Sequence, residues 1–181
     1  MSLNYYQKFI DFFKRHGLYN QEAFDYLRKN SIQFDYRDTD YQPLIGCFYL
    51  TKGNKLTKIN LIVPYINNDI TVLINIHEYI HGIIAYKYIN KRFSEDLNSE
   101  TLPILYERIY LEENKDNQTL RKHFDSINDV INESNSTDIM KYKIALSIQE
   151  KLFDYYTSKH PNIKELSSKA KKLTKKQNCN S

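Results

Sequence analysis

Apolar residues recur at helical spacing along most of the chain. Aromatic side chains at this spacing predict a first helix over residues 4–16, ended by Gly17, and a second helix over residues 21–29. The same periodicity continues in four later segments, at residues 70–89, 99–113, 120–131 and 138–156. Side chains that can cap the first of these helices stand at residues 67–69, and Ser99 can cap the second. The pattern therefore predicts a mostly helical protein.

The helical periodicity is interrupted after Pro43 by two short extended segments. Residues 44–50 (LIGCFYL) and 58–65 (KINLIVPY) are rich in β-forming residues, and a Gly-Asn turn lies between them. Two such segments joined by a turn predict a β-hairpin. Pro64 near the end of the second segment favours an edge strand or a strand terminus. The predicted fold class is therefore α+β, mostly α, with one small antiparallel sheet.

Length and composition describe an ordinary globular chain. It has 181 residues, of which 41% are hydrophobic and 27% are charged, and this length predicts a single domain. Only 4 Gly and 4 Pro are present, which excludes a Gly-rich phosphate loop and a long flexible linker. The two cysteines, Cys47 and Cys179, lie far apart, so neither a disulfide framework nor a Cys-based zinc site is expected. Without a membrane span or a signal-peptide pattern, we expect a cytoplasmic protein.

The net charge of +4 comes from the C-terminal end of the chain. Residues 164–181 hold six Lys and one Glu, a net charge of +5, and the remainder holds 20 basic and 21 acidic residues, a net charge of −1. No aromatic residues alternate with these lysines, so nucleic-acid or membrane binding is not expected. We expect a solvated, fraying basic tail.

The most apolar of the predicted helices carries the motif H-E-x-x-H, formed by His77, Glu78 and His81. The two histidines stand one turn apart, so both imidazoles can reach one metal ion. Glu78 lies beside them, where its carboxylate can take a proton from a water molecule. The motif therefore predicts a divalent metal site. The metzincin class is excluded, because Ile84 and Lys87 stand where that class has Gly and His.

A catalytic zinc site usually has three protein ligands and one open position, so a third ligand is needed. Glu100 is favoured, because the eighteen residues between it and His81 let the chain turn and bring a second helix back. Glu107, seven residues further on the same helical face, is the rival. If it is not a ligand, Glu107 is expected to accept a hydrogen bond from a histidine ring N–H and fix its tautomer. Glu95 and Asp96 are nearer but are expected to lie in a loop.

An H-E-x-x-H helix followed by a glutamate on the next helix resembles the gluzincin metallopeptidases. The likeness extends to a glycine-containing segment at residues 45–48, a strand ending at residues 62–65, a polar turn at residues 67–70 and the segment 99–107 with two glutamates seven apart. In this order they resemble the catalytic core of the thimet oligopeptidase and oligoendopeptidase F family. The match covers residues 44–110, and residues 140–143 resemble the family more weakly.

The chain also departs from this family. Members are usually several times larger, and Ile80 stands where they usually have Gly before the second histidine. The later segment rich in His and Tyr, which supplies hydrogen bonds to the transition state, is mostly missing, and Tyr142 is the nearest match to one of its tyrosines. His123 and His160 are expected to be ordinary residues of the C-terminal helices.

The resemblance implies a minimal zincin-like zinc peptidase in which His77, His81 and Glu100 hold Zn²⁺. Glu78 is then the general base, and Tyr142 is a candidate for transition-state stabilisation. The substrate would be a peptide or an unfolded protein segment, paired with the free edge of the strand at residues 58–65. The implied organisation is one domain over 1–163, made of N-terminal helices (1–40), a catalytic core (44–113) and C-terminal helices (118–160), before the basic tail (164–181).

Two alternatives to a peptidase stay open. The first is a regulatory or peptide-binding module on the same scaffold with little turnover, which the missing transition-state donors would favour. The second is a metal that only holds two helices together. Structural sites usually close all four positions with protein ligands, often Cys, so the residues present argue against it.

Overall fold

The computed structural model describes four stretches of the chain, residues 2–36, 46–92, 99–133 and 139–178. The chain forms two compact units, residues 1–98 and 99–181. Helices dominate, and three strands form one small sheet, which confirms the predicted α+β, mostly α class. The assignment of the whole chain to one zincin-like domain stays a prediction.

The first unit contains three helices and the three strands of the sheet. In chain order these elements are α1 (Ser2–Arg15), α2 (Gln21–Lys29), β1 (Ser31–Phe34), β2 (Gly46–Lys52), β3 (Lys55–Pro64) and α3 (Asp69–Tyr86). The predicted hairpin is present, since β2 and β3 pair antiparallel. At its turn Gly53 has a φ of 60°, a left-handed conformation that glycine adopts without steric cost.

The sheet has the order β1-β3-β2, and β1 was not predicted. It pairs parallel with β3, with Ser31 opposite Leu61 and Phe34 opposite Pro64, so the sheet is mixed rather than purely antiparallel. The predicted free edge on the strand at residues 58–65 is therefore wrong, because β3 is the central strand. The outer strands of this sheet are β1 and β2.

The core of the first unit lies between the sheet and α3, and it extends under α1. Alternate β3 residues face this core, and Ile59, Leu61 and Val63 are fully buried. From α1, Phe9 packs edge-on against Tyr79 of α3, with ring centroids 5.0 Å apart. These contacts hold α3 in place as the most buried helix of the unit, as its apolar sequence predicted.

A capping box fixes the start of α3. The Asn68 side chain accepts a hydrogen bond from Thr71 N at 2.9 Å, and the Thr71 hydroxyl oxygen accepts one from Asn68 N at 3.1 Å. The N-cap is thus Asn68, one of the predicted candidates, and Asp69 occupies the first turn, where a negative charge is favourable. The helix ends at Tyr86, three residues before the predicted end.

The second unit is helical, with α4 (Thr101–Glu113), α5 (Gln118–Glu133), α6 (Met140–Lys159) and α7 (Ile163–Asn178). The expectation of a fraying basic tail is wrong, because α7 places Leu166 and Ala170 in the core of this unit. Across the four described stretches, no helix combines the length and apolar character that a membrane span requires.

Candidate metal centre

Helix α3 presents both histidines of the H-E-x-x-H motif on one face. Their ring centroids are 5.1 Å apart, as expected for residues one turn apart on a helix. His81 is 6% exposed and Glu78 is 8% exposed, whereas His77 is half-buried. Polar side chains this deeply buried are costly unless they have partners or carry out chemistry. The predicted position of these three residues on one buried helix is confirmed.

Glu100 lies immediately before α4 in the second unit, and only 3% of it is exposed. It occupies the N-cap position, but its side chain makes no capping hydrogen bond, so its carboxylate is not used to start the helix. Ser99, the predicted cap, makes a weak contact in which its hydroxyl oxygen lies 3.4 Å from Thr101 N. The carboxylate of Glu100 therefore needs another reason to be buried.

One partner of that carboxylate is Lys141, at the start of α6. Its ammonium nitrogen lies 2.9 Å from Glu100 Oε1, and the lysine side chain is 47% exposed. A buried carboxylate is tolerated when an opposite charge accompanies it. Sequence analysis did not identify Lys141 as a site residue, although it lies in the segment 140–143, which weakly resembles the oligopeptidase family. No local spacing could have paired it with a residue so far away in the chain.

The second unit also contains Tyr142, next to Lys141 on α6, and Glu107, on α4. Tyr142 is half-buried, and the ammonium of Lys141 lies 5.3 Å from its ring centroid. Glu107 is half-buried and lies two turns along α4 from Glu100. The roles predicted for both residues stay predictions. The other two candidate ligands, Glu95 and Asp96, lie outside the described residues.

The remaining two histidines of the helical segments lie in the second unit, as predicted. His123 belongs to α5, and His160 ends α6 in a left-handed conformation with a φ of 45°. The His160 backbone N–H donates to Tyr156 O at 2.8 Å, which satisfies a carbonyl at the helix end. His160 thus has a structural explanation that needs no metal.

Comparisons of the chain with protein-family models, with curated proteins and with solved structures find no match. They therefore assign neither a family nor an activity. Function has to be inferred from the residues of this chain and their geometry.

Proposed function

We propose that the chain is a zinc-dependent peptidase of the gluzincin type, with His77, His81 and Glu100 as ligands. One observation carries this proposal: the two histidines of the H-E-x-x-H motif lie one turn apart on the buried helix α3, with ring centroids 5.1 Å apart, so one metal ion can bind both. Two imidazole nitrogens and a carboxylate oxygen match the His₂Glu donor set of catalytic zinc sites.

The burial of the donors also fits a metal. His81 and Glu100 are 6% and 3% exposed, so water would compete weakly for their ligand atoms. Lys141, whose ammonium lies beside the Glu100 carboxylate, is itself half exposed, so solvent screens its charge. A divalent cation would compensate the buried carboxylate more completely.

Within this site, Glu78 would take a proton from the attacking water and deliver it to the leaving amine. Zinc, when bound, would polarise the scissile carbonyl and stabilise the charge that develops on its oxygen. Tyr142 would donate a hydrogen bond to that oxygen, and Glu107 would orient a histidine ring. An extended peptide would pair with one of the outer strands, β1 or β2, because β3 lies between them.

The ion pair between Lys141 and Glu100 favours a second candidate function. A lysine ammonium already accompanies the carboxylate proposed as a ligand. A zincin-like module that binds peptides with little turnover would need no metal there. For either function we propose a cytoplasmic location, since the two cysteines suit a reducing compartment.

The test is cleavage of an unstructured peptide library by the zinc-loaded protein, followed by mass spectrometry. Glu78→Gln should keep zinc and the fold but lower hydrolysis by roughly 10²-fold or more, since it removes the general base. Glu22→Gln, at an exposed position on α2, is the matched control and should cleave as the parent does. Equal cleavage by the parent and Glu78→Gln would contradict the mechanism. A zinc-loaded parent that cleaves nothing would favour the binding module.

A further inference from the structure

The sheet of the first unit has an outer face, opposite the face that packs on α3. The core side chains of β3 alternate with Lys58, Asn60 and Ile62, so these three residues lie on the outer face. Phe48 of β2 lies opposite Asn60, and Leu50 lies opposite Lys58. Directly opposite residues of an antiparallel pair share one face, so Phe48 and Leu50 also belong to the outer face.

One end of the outer face is apolar and exposed. Phe48 is 45% exposed, Leu50 is 51% exposed, and Ile32 of β1 is 64% exposed. In register, Ile62 lies between Ile32 and Gly46, and the Phe48 ring lies 3.5 Å from where a Cβ on Gly46 would be. The apolar side chains therefore follow one another across all three strands. Exposure of several such side chains together is unfavourable in water and is typical of an interaction surface.

The other end of the outer face, at the hairpin turn, is cationic. Lys52 follows Leu50 by two residues on β2, so it lies on the same face, and it pairs directly with Lys55 across the turn. Arg92 forms an isolated bridge with Lys55 on the other side of β3. Three cations thus lie side by side on adjacent backbone segments, and Lys58 is close to them on β3. Like charges that lie directly opposite each other are destabilising unless an anion accompanies them.

The hairpin supplies no acidic side chain to offset these charges. Residues 46–68 contain three lysines and no Asp or Glu. Within the four described stretches, neither these lysines nor Arg92 forms an ion pair, and all four side chains are exposed. The charge of this surface is therefore complementary to an anionic partner.

We propose that the outer face binds the surface of an anionic lipid membrane. Ile32, Phe48 and Leu50 enter the boundary between headgroups and acyl chains, and the cations at the turn contact the negative headgroups. Single-stranded nucleic acid fits less well, because its bases stack on aromatic rings. Among the described residues of the outer face, Phe48 is the one exposed aromatic residue, and its exposed neighbours are aliphatic. This binding is independent of the proposed peptidase function.

Cosedimentation of the full chain with lipid vesicles tests the proposal, with EDTA present so that no metal ion bridges protein and lipid. Each cation near an anionic surface strengthens binding roughly fivefold, so four cations predict half-maximal binding at a lipid concentration on the order of 1 mM or below. This value applies to phosphatidylcholine vesicles with about 30% phosphatidylserine, and vesicles of phosphatidylcholine alone should bind roughly 100-fold more weakly. Raising the salt concentration from about 0.1 M to about 1 M shortens the Debye length from about 10 Å to about 3 Å and should release most of the protein.

The lysine pair at the turn offers the sharpest variant. Lys52→Gln combined with Lys55→Gln should weaken binding to the phosphatidylserine vesicles roughly 25-fold. This double variant should fold, because it removes two like charges that lie directly opposite each other. Lys175→Gln combined with Lys176→Gln removes the same charge from exposed positions on α7, and this control should bind as the parent does.

Leu50→Thr tests the apolar end of the outer face. Threonine keeps the β propensity of the strand but removes apolar surface, so binding to the same vesicles should weaken roughly tenfold. Met140→Thr, which removes a similarly exposed apolar side chain from α6, is the control and should bind as the parent does. Equal binding to both kinds of vesicle, undiminished binding by the Lys52 and Lys55 double variant, or no binding at millimolar lipid would overturn the proposal. Binding of oligouridylate without binding of vesicles would assign the outer face to nucleic acid instead.

Discussion

Replacing Lys141 with methionine removes the cation that accompanies Glu100 and should make the protein bind zinc more tightly. Methionine has a similar length and no branch, so it can cover the same surface without new contacts. Whether zinc displaces the ammonium or shares the carboxylate with it, the lysine charge opposes a second cation at Glu100. The variant therefore tests whether this carboxylate is a ligand.

The size of the effect follows from the geometry of the pair. At 2.9 Å, two unit charges attract by about 1.4 kcal/mol in water and by about 6 kcal/mol at an effective dielectric constant of about 20. Because Lys141 is 47% exposed, the lower part of this range applies, in agreement with the ~1.5–3 kcal/mol of a hydrogen bond to a charged group. Since about 1.4 kcal/mol corresponds to a factor of ten, zinc affinity should rise about 10–100-fold.

Competition with a chromophoric zinc chelator measures this affinity, and urea unfolding measures stability without metal. The metal-free Lys141→Met protein should lose about 1.5–3 kcal/mol of stability, because Glu100 stays buried without its cation. Lys151→Met, at an exposed position on the same helix, is the control and should change neither quantity. Unchanged or weaker zinc binding by Lys141→Met would refute the reasoning.

Three further predictions concern the ligands and the packing of α3. His77→Ala and His81→Ala should each abolish stoichiometric zinc, and elemental analysis showing about one zinc in either variant would contradict their role. Glu107→Ala should lower zinc affinity about 10–100-fold, and Glu100→Ala should lower it further. The reverse order would make Glu107 the ligand and Glu100 the residue that orients a histidine. Gly82→Ala should lower the free energy of unfolding in urea by about 1 kcal/mol. A Cβ at this position would lie 2.8 Å from the buried side chain of Leu27 in α2. The cost of this overpacking exceeds the gain in helix propensity from alanine. An increase in stability would show that the leucine moves away freely.

The helices before the basic tail were predictable because their signals are local. In α3, caps at residues 67–69 and an unbroken apolar sequence specify one buried helix, and the spacing within H-E-x-x-H places both histidines on one face of it. The hairpin was predictable for the same reason, from two β-rich segments and the turn at Gly53.

The features that were missed depend on distant partners. The four residues of β1 show no alternation of buried and exposed positions, and their strand conformation comes from pairing with β3. In α7 the lysines dominate the composition, while Leu166 and Ala170, four residues apart, form a narrow apolar stripe. The Lys141–Glu100 pair joins α6 to the start of α4, and neither residue carries a local sign of the other.

The most direct test of the central claim is a crystal structure of the zinc-loaded protein with anomalous data at the zinc absorption edge. The proposal predicts one anomalous peak, about 2.0–2.1 Å from a ring nitrogen of His77 and of His81 and about 2.0–2.2 Å from an oxygen of Glu100. A third ligand from Glu107, Glu95 or Asp96 would overturn the assignment of Glu100. A zinc-loaded crystal with no peak at the two histidines would contradict the metal centre itself.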